Sequence, residues 1–102
     1  MINAKKVIND KQVTFEIKGH AEYARSGRDI VCASVSTAVI LTENLIDNLH
    51  LSYNITELKS DEGYFKLVLN LENEILEGIA KTLDGMLTQL VEVYPKYIKY
   101  NR

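Results

Sequence analysis

Cysteine, proline, tryptophan and surplus positive charge are what this 102-residue chain has least of: one Cys, one Pro, no Trp, and 12 Lys and Arg against 14 Asp and Glu. A single thiol closes no intramolecular disulfide, which excludes a stapled secreted domain. One Cys and two histidines, His20 and His50, lack the paired spacings of a zinc site. No metal and no cofactor are therefore expected, and there is no Gly-rich phosphate loop. A net charge of -2 argues against sequence-independent nucleic-acid binding, which needs a basic face. Lys96, Lys99 and Arg102 are the one local basic cluster. No uninterrupted apolar run approaches the roughly 18 residues of a membrane span. Met1-Ile2-Asn3-Ala4-Lys5-Lys6 also lacks a signal core. The expectation is a cytoplasmic protein with neither a membrane nor a direct nucleic-acid partner.

What is present fits one small domain over residues 1–102. A core of this size leaves apolar surface over, which dimerisation would cover. Residues 1–8 read as a first strand. Asn9-Asp10 supplies turn chemistry that tolerates positive φ. Residues 11–18 alternate, with Val13, Phe15 and Ile17 on one face and Thr14, Glu16 and Lys18 on the other. From Ile30 to about Asn48 the spacing is helical, and the first half is apolar nearly all round, which predicts burial at that end. A second hairpin is expected at 51–59 and 63–71, joined by Ser60-Asp61-Glu62-Gly63. A second helix spans 72–94 and stops at Pro95. Tyr97 to Tyr100 add a short edge strand. The order ββαββαβ predicts an α+β fold, a mostly antiparallel sheet with two packed helices.

The chemistry concentrates between the first hairpin and the first helix. His20, in Gly19-His20-Ala21, precedes Cys32, in Val31-Cys32-Ala33-Ser34-Val35-Ser36, by twelve residues. A thiol and an imidazole are the minimum pair for thiolate nucleophilic catalysis. Cys32 falls in the first helical turn, where unpaired N–H groups and the helix dipole favour negative charge. Those N–H groups would also suit an oxyanion. Asp29 is placed either to cap the helix or to orient the imidazole. Ser36, one turn beyond Cys32, either supports the site or bonds back to its own helix. His50 reads as structural or solvated near the helix end, and Tyr94, Tyr97 and Tyr100 as an interface or sheet-edge cluster. The residues alone leave the bland alternative open: a small packed cysteine and an incidental turn histidine.

Taken together, Gly19-His20-Ala21, the run from Asp29 to Ser36 and its continuation Thr37-Ala38 resemble the bacterial ribosomal-processing cysteine protease family. Length and element order agree as well, so the likeness covers essentially the whole chain. It implies a cysteine endopeptidase with Cys32 as nucleophile and His20 as base. It implies as partner and substrate ribosomal protein twenty-seven of the large subunit, whose N-terminal extension is removed after aromatic residues for ribosome assembly. It further implies a homodimer, and a mobile substrate loop of Ala21, Glu22, Tyr23, Ala24, Arg25, Ser26, Gly27 and Arg28 with Gly27 as hinge. Asp29 and Ser36 match the family's supporting polar positions. An apolar groove for the aromatic side chains is expected beside Tyr23 and the first helix. Two other readings use the same residues: a non-catalytic ribosome-assembly or protein-binding module, and a different thiol enzyme such as an acyl transferase or deamidase. Thiol reactivity in the folded chain discriminates the first of these.

Overall fold

The period-two pattern at the start of the chain folds as a hairpin in the computed structural model, which describes residues 1–25 and 28–102. Ser26 and the expected hinge Gly27 lie outside the described residues. Strands β1 (Ile2–Asn9) and β2 (Gln12–Lys18) pair antiparallel around Asp10-Lys11, and Asp10 takes φ 59°. Val13, Phe15 and Ile17 are buried while Thr14, Glu16 and Lys18 face the other way. A one-residue slip would exchange those faces, so the core itself fixes the register.

Helix α1 (Ile30–Asn48) follows, started by Asp29. Its Val31, Val35, Ala38, Val39 and Ile46 join the sheet's buried cluster. The expectation of burial all round is not met: Ile30, Ile40 and Leu41 are about half exposed or more. Periodicity shows which positions are apolar, but only the neighbours decide how many are covered. Among the described residues, α1 is also the one helix long and apolar enough to cross a membrane, with mean hydropathy 1.5. Ser, Thr and Glu interrupt the helix, so no unbroken apolar run marks it in the sequence.

At the end of α1, His50 N–H donates to Asp47 C=O and Leu51 N–H to Ile46 C=O. His50 takes the left-handed conformation, φ 59°, that such a helix ending requires. Its structural role therefore lies in its backbone.

The expected strand at 51–59 begins late. Ser52–Asn54 form a 3-10 turn, and β3 runs Ile55–Asp61. The buried Asn54 side chain donates to Leu51 C=O, a local bond that competes with the strand ladder. The turn is correspondingly tight, just Glu62-Gly63 before β4 (Tyr64–Asn70), with Gly63 at φ +74°. Helix α2 (Glu74–Val93) starts where Asn73 accepts from Leu76 N–H at 3.0 Å. Strand β5 (Ile98–Asn101) closes the chain.

The sheet order is β3-β4-β2-β1-β5, antiparallel except for β1 with β5, and both helices contribute to one core with it. This is the expected α+β arrangement. The parallel pairing sets Ile2 beside Ile98. Asp84 on α2 secures β5, accepting from Tyr100 OH at 2.6 Å and from Arg102 at 3.3 Å, with Lys6 at 3.3 Å. Burial works against the Asp84 charge, but these donors outweigh it and hold its carboxyl below the usual range. Arg102 is thus engaged, so the basic cluster expected with Lys96 and Lys99 is partly neutralised.

Gly19, where β2 gives way to the site loop, has φ +94°, and a Cβ there would lie 2.7 Å from the Met1 carbonyl oxygen. Backbone cannot yield cheaply, so Gly19→Ala should lower unfolding free energy by about 1–3 kcal/mol in urea denaturation. Gly78→Ala, which meets open space in α2, should instead gain about 0.5–1 kcal/mol.

Candidate active site

The start of β1, the end of β2, the β3–β4 turn and the first turns of α1 converge on one cleft of about 540 Å³. Ile2, Ile17, Val35, Val39 and Phe65 give it an apolar floor. His20, Cys32 and Ser36 line it, and its remaining charged lining residues, Glu22, Asp29, Asp61 and Glu62, are all acidic.

Cys32 occupies the third position of α1, half-buried, and its Sγ accepts the Ala21 N–H at 3.2 Å. Among the described residues the bond recorded for the thiol therefore comes from the backbone beside His20 and not from the imidazole. His20 is exposed, and its ring stands over Gly63, where a Cβ would come within 2.8 Å of Nε2. The same turn accepts Gly19 N–H on Gly63 C=O at 2.9 Å. A glycine at the hairpin tip thus serves two purposes: it supplies the positive φ and leaves room for the imidazole.

Asp29 accounts for the shape of the loop between them. Oδ1 accepts Val31 N–H and Cys32 N–H, both at 3.0 Å, while Oδ2 accepts Tyr23 N–H at 2.9 Å and Ala24 N–H at 3.4 Å. Burial raises its proton affinity, yet the four backbone donors prevail and hold the carboxyl below its ordinary value of 3.8. Its recorded bonds cap the helix and gather the loop; none orients the imidazole. This also corrects the expectation that the first N–H groups of α1 are free for an oxyanion, because Val31 and Cys32 spend theirs on Asp29. Between the two anchored amides, Glu22 takes φ 58°, a left-handed conformation costing a non-glycine residue about 1–2 kcal/mol.

Ser36 lines the cleft one turn beyond Cys32, and it is Ser34 whose hydroxyl bonds back to Ile30 C=O at 2.7 Å. Ala21, Tyr23, Arg25 and Arg28 are not equivalent members of one exposed loop: Ala21 is buried and the other three are exposed. Tyr23 is absent from the cleft lining, contrary to the expected groove. It packs edge-to-face on Tyr94 at 5.9 Å and on Tyr97 at 5.0 Å between ring centroids. The tyrosine-rich tail is therefore split, since Tyr100 turns to Asp84. Gly63, Asp61, Glu62 and this tyrosine seat were not found from the sequence. The Asp-Glu-Gly turn was visible, but nothing local said which end of the sheet it would meet.

The arrangement can hold an extended peptide over an apolar floor beside a thiol at a helix start, with an imidazole on the same wall. The whole chain is similar to known proteins. The model of the family described as Cysteine protease Prp matches residues 1–99. The ribosomal processing cysteine protease Prp of Bacillus subtilis (strain 168) is 29% identical over 92 residues, 87% of this chain and 82% of that protein. An essential ribosomal processing protease Prp from S. aureus, solved with a covalently linked product peptide, superposes with a TM-score of 0.86 at 28% identity, covering 99% of this chain and 98% of that one. A second S. aureus Prp structure, with a substrate peptide, gives 0.79 at 25% identity, each chain covered in full.

Two outcomes follow from the geometry. Asp29→Ala should cost about 1 kcal/mol at neutral pH in urea unfolding. The stability tied to the Asp29 charge is fully present above its unfolded value and lost as pH falls through the lower folded one. The difference between wild type and variant should therefore narrow below pH 3.8. Gly63→Ala should cost about 1 kcal/mol through its positive φ and push the imidazole aside, visible as a displaced His20 ring resonance in NMR.

Proposed function

Because the chain belongs to the Cysteine protease Prp family, we propose that it is a cysteine endopeptidase in which Cys32 is the nucleophile and His20 the general base. The observation that carries this reading is the thiol at the start of α1, bonded to the amide that follows His20 inside a cleft both residues line. The Cys32 thiolate attacks the scissile carbonyl, and the tetrahedral intermediate collapses to a thioester as protonated His20 gives its proton to the leaving amine. Water, deprotonated by His20, then attacks the thioester carbonyl, and the C–S bond breaks to free the acid product and return the Cys32 thiolate beside protonated His20. Ala21 N–H, the donor beside the sulfur, is suited to follow the developing charge, since the Val31 and Cys32 amides are engaged by Asp29. Ser36 and Asp29 act as supporting polar groups.

The substrate in this reading is the N-terminal extension of ribosomal protein twenty-seven of the large subunit, cut after an aromatic residue. The apolar floor supports an aromatic side chain there, and the acidic rim favours a peptide over a phosphate backbone. The S. aureus relatives solved with a substrate and a product peptide support the same class of ligand. The protein acts in the cytoplasm as a homodimer. Exposed Ile30, Leu41, Leu45 and Met86, along the groove between α1 and α2, offer apolar surface for a second copy.

The test is mass spectrometry of the extension peptide and the full-length substrate, incubated with wild type and with folded Cys32→Ala. A single cut after the aromatic residues by wild type only is expected. Intact peptide and substrate with reduced, folded wild type would leave the non-catalytic binding module as the better reading.

A further inference from the structure

Tyr94 and Tyr97 belong to the connection between α2 and β5, which carries no chemistry of its own, yet they face the segment that follows His20. Tyr23 makes edge-to-face contacts with both rings. The connection is itself fixed: Tyr97 N–H donates to Tyr94 C=O at 2.9 Å, and Tyr97 C=O accepts Ile2 N–H at 2.9 Å. Ile2 in turn lines the cleft floor. Two residues before Tyr23 the chain delivers Ala21 N–H to Cys32 Sγ, and at Tyr23 itself it delivers an N–H to Asp29. Glu22 between them is in the unfavourable left-handed region, so this short stretch keeps its form only while both sides are held. Cys32 and Asp29 hold one side. The tyrosine seat is the other.

We propose that Tyr97, together with Tyr94, is a positioning residue for the nucleophile: by seating Tyr23 it keeps Ala21 N–H on the sulfur. The inference rests on Cys32 being the reactive group of the proposed protease. It assigns the last connection of the chain a role in thiol chemistry at a site to which it contributes no reacting atom. Ring shape carries the contact, since the pairs are edge-to-face and the Tyr97 ring centroid is the nearer. The phenolic hydroxyl is dispensable.

The experiment is the pH dependence of iodoacetamide alkylation of Cys32 in wild type, Tyr97→Ala, Tyr97→Phe, Tyr23→Ala and the Tyr23→Ala/Tyr97→Ala pair. A thiolate that loses a backbone donor forms at higher pH. In both single alanine variants the acid limb of the profile should move alkaline, slowing alkylation at a given pH in that limb by about threefold to tenfold. Tyr97→Phe should match wild type, and the double variant should be no worse than either single one. Movement of the limb isolates thiolate stabilisation, which a change in access alone would not shift. Tyr23 is an exposed loop residue, so its variant reads the same contact if Tyr97→Ala fails to fold. An unmoved profile in Tyr23→Ala overturns the proposal, as does a double variant whose effects add. Peptide cleavage by wild type is scored separately, so failure of the protease reading and failure of this one give different results.

Discussion

One carboxylate organises the functional end of this molecule. Asp29 accepts four backbone N–H bonds, two from the start of α1 and two from the loop before it. Without an acceptor there, the amides of Val31 and Cys32 would be orphaned at a helix terminus. The loop would also have to satisfy Tyr23 and Ala24 with water. With it, helix start and loop become one hydrogen-bonded unit, and Cys32 takes a defined place relative to Ala21. The carboxylate bears a full charge near the positive end of α1, where the dipole favours it. Nothing about this requires Asp29 to touch the reacting atoms.

The sheet supplies the complementary constraint. Val13, Phe15 and Ile17 oppose Leu69, Leu67 and Phe65 across β2 and β4, so one buried face locks two hairpins together. That pairing carries the Glu62-Gly63 turn to the end of β2, where Gly19 begins the path to His20. The imidazole is therefore placed by a contact between two hairpins and the thiol by a helix. Asp29 and the tyrosines before β5 then hold the described part of the loop that joins them.

Much of this could be read from the residues in order. Element order, the start of α1 at Asp29 and the inward face of β2 rest on local periodicity or capping chemistry, which a sequence displays directly. The late start of β3 was hidden because Asn54 chooses a local bond over the ladder. The exposed half of α1 was hidden because apolar spacing does not report coverage. The loop sequence offered no sign that Tyr23 would leave the cleft for Tyr94 and Tyr97. That contact depends on β5 returning to β1 from the far end of the chain, information that no window around residue 23 contains.

The parallel pairing of Ile2 with Ile98 has a temporal side. Joining strands this far apart along the chain carries a large loop-closure cost and belongs to the slow, non-local part of folding. The tyrosines that seat the loop immediately precede that strand, and Ile2 in the cleft floor bonds to one of them. During synthesis, residues 20–36 are made before residues 94–98. A nascent chain thus carries its thiol and imidazole before the seat that aligns their loop has been made. The finished cleft therefore waits for the connection between α2 and β5.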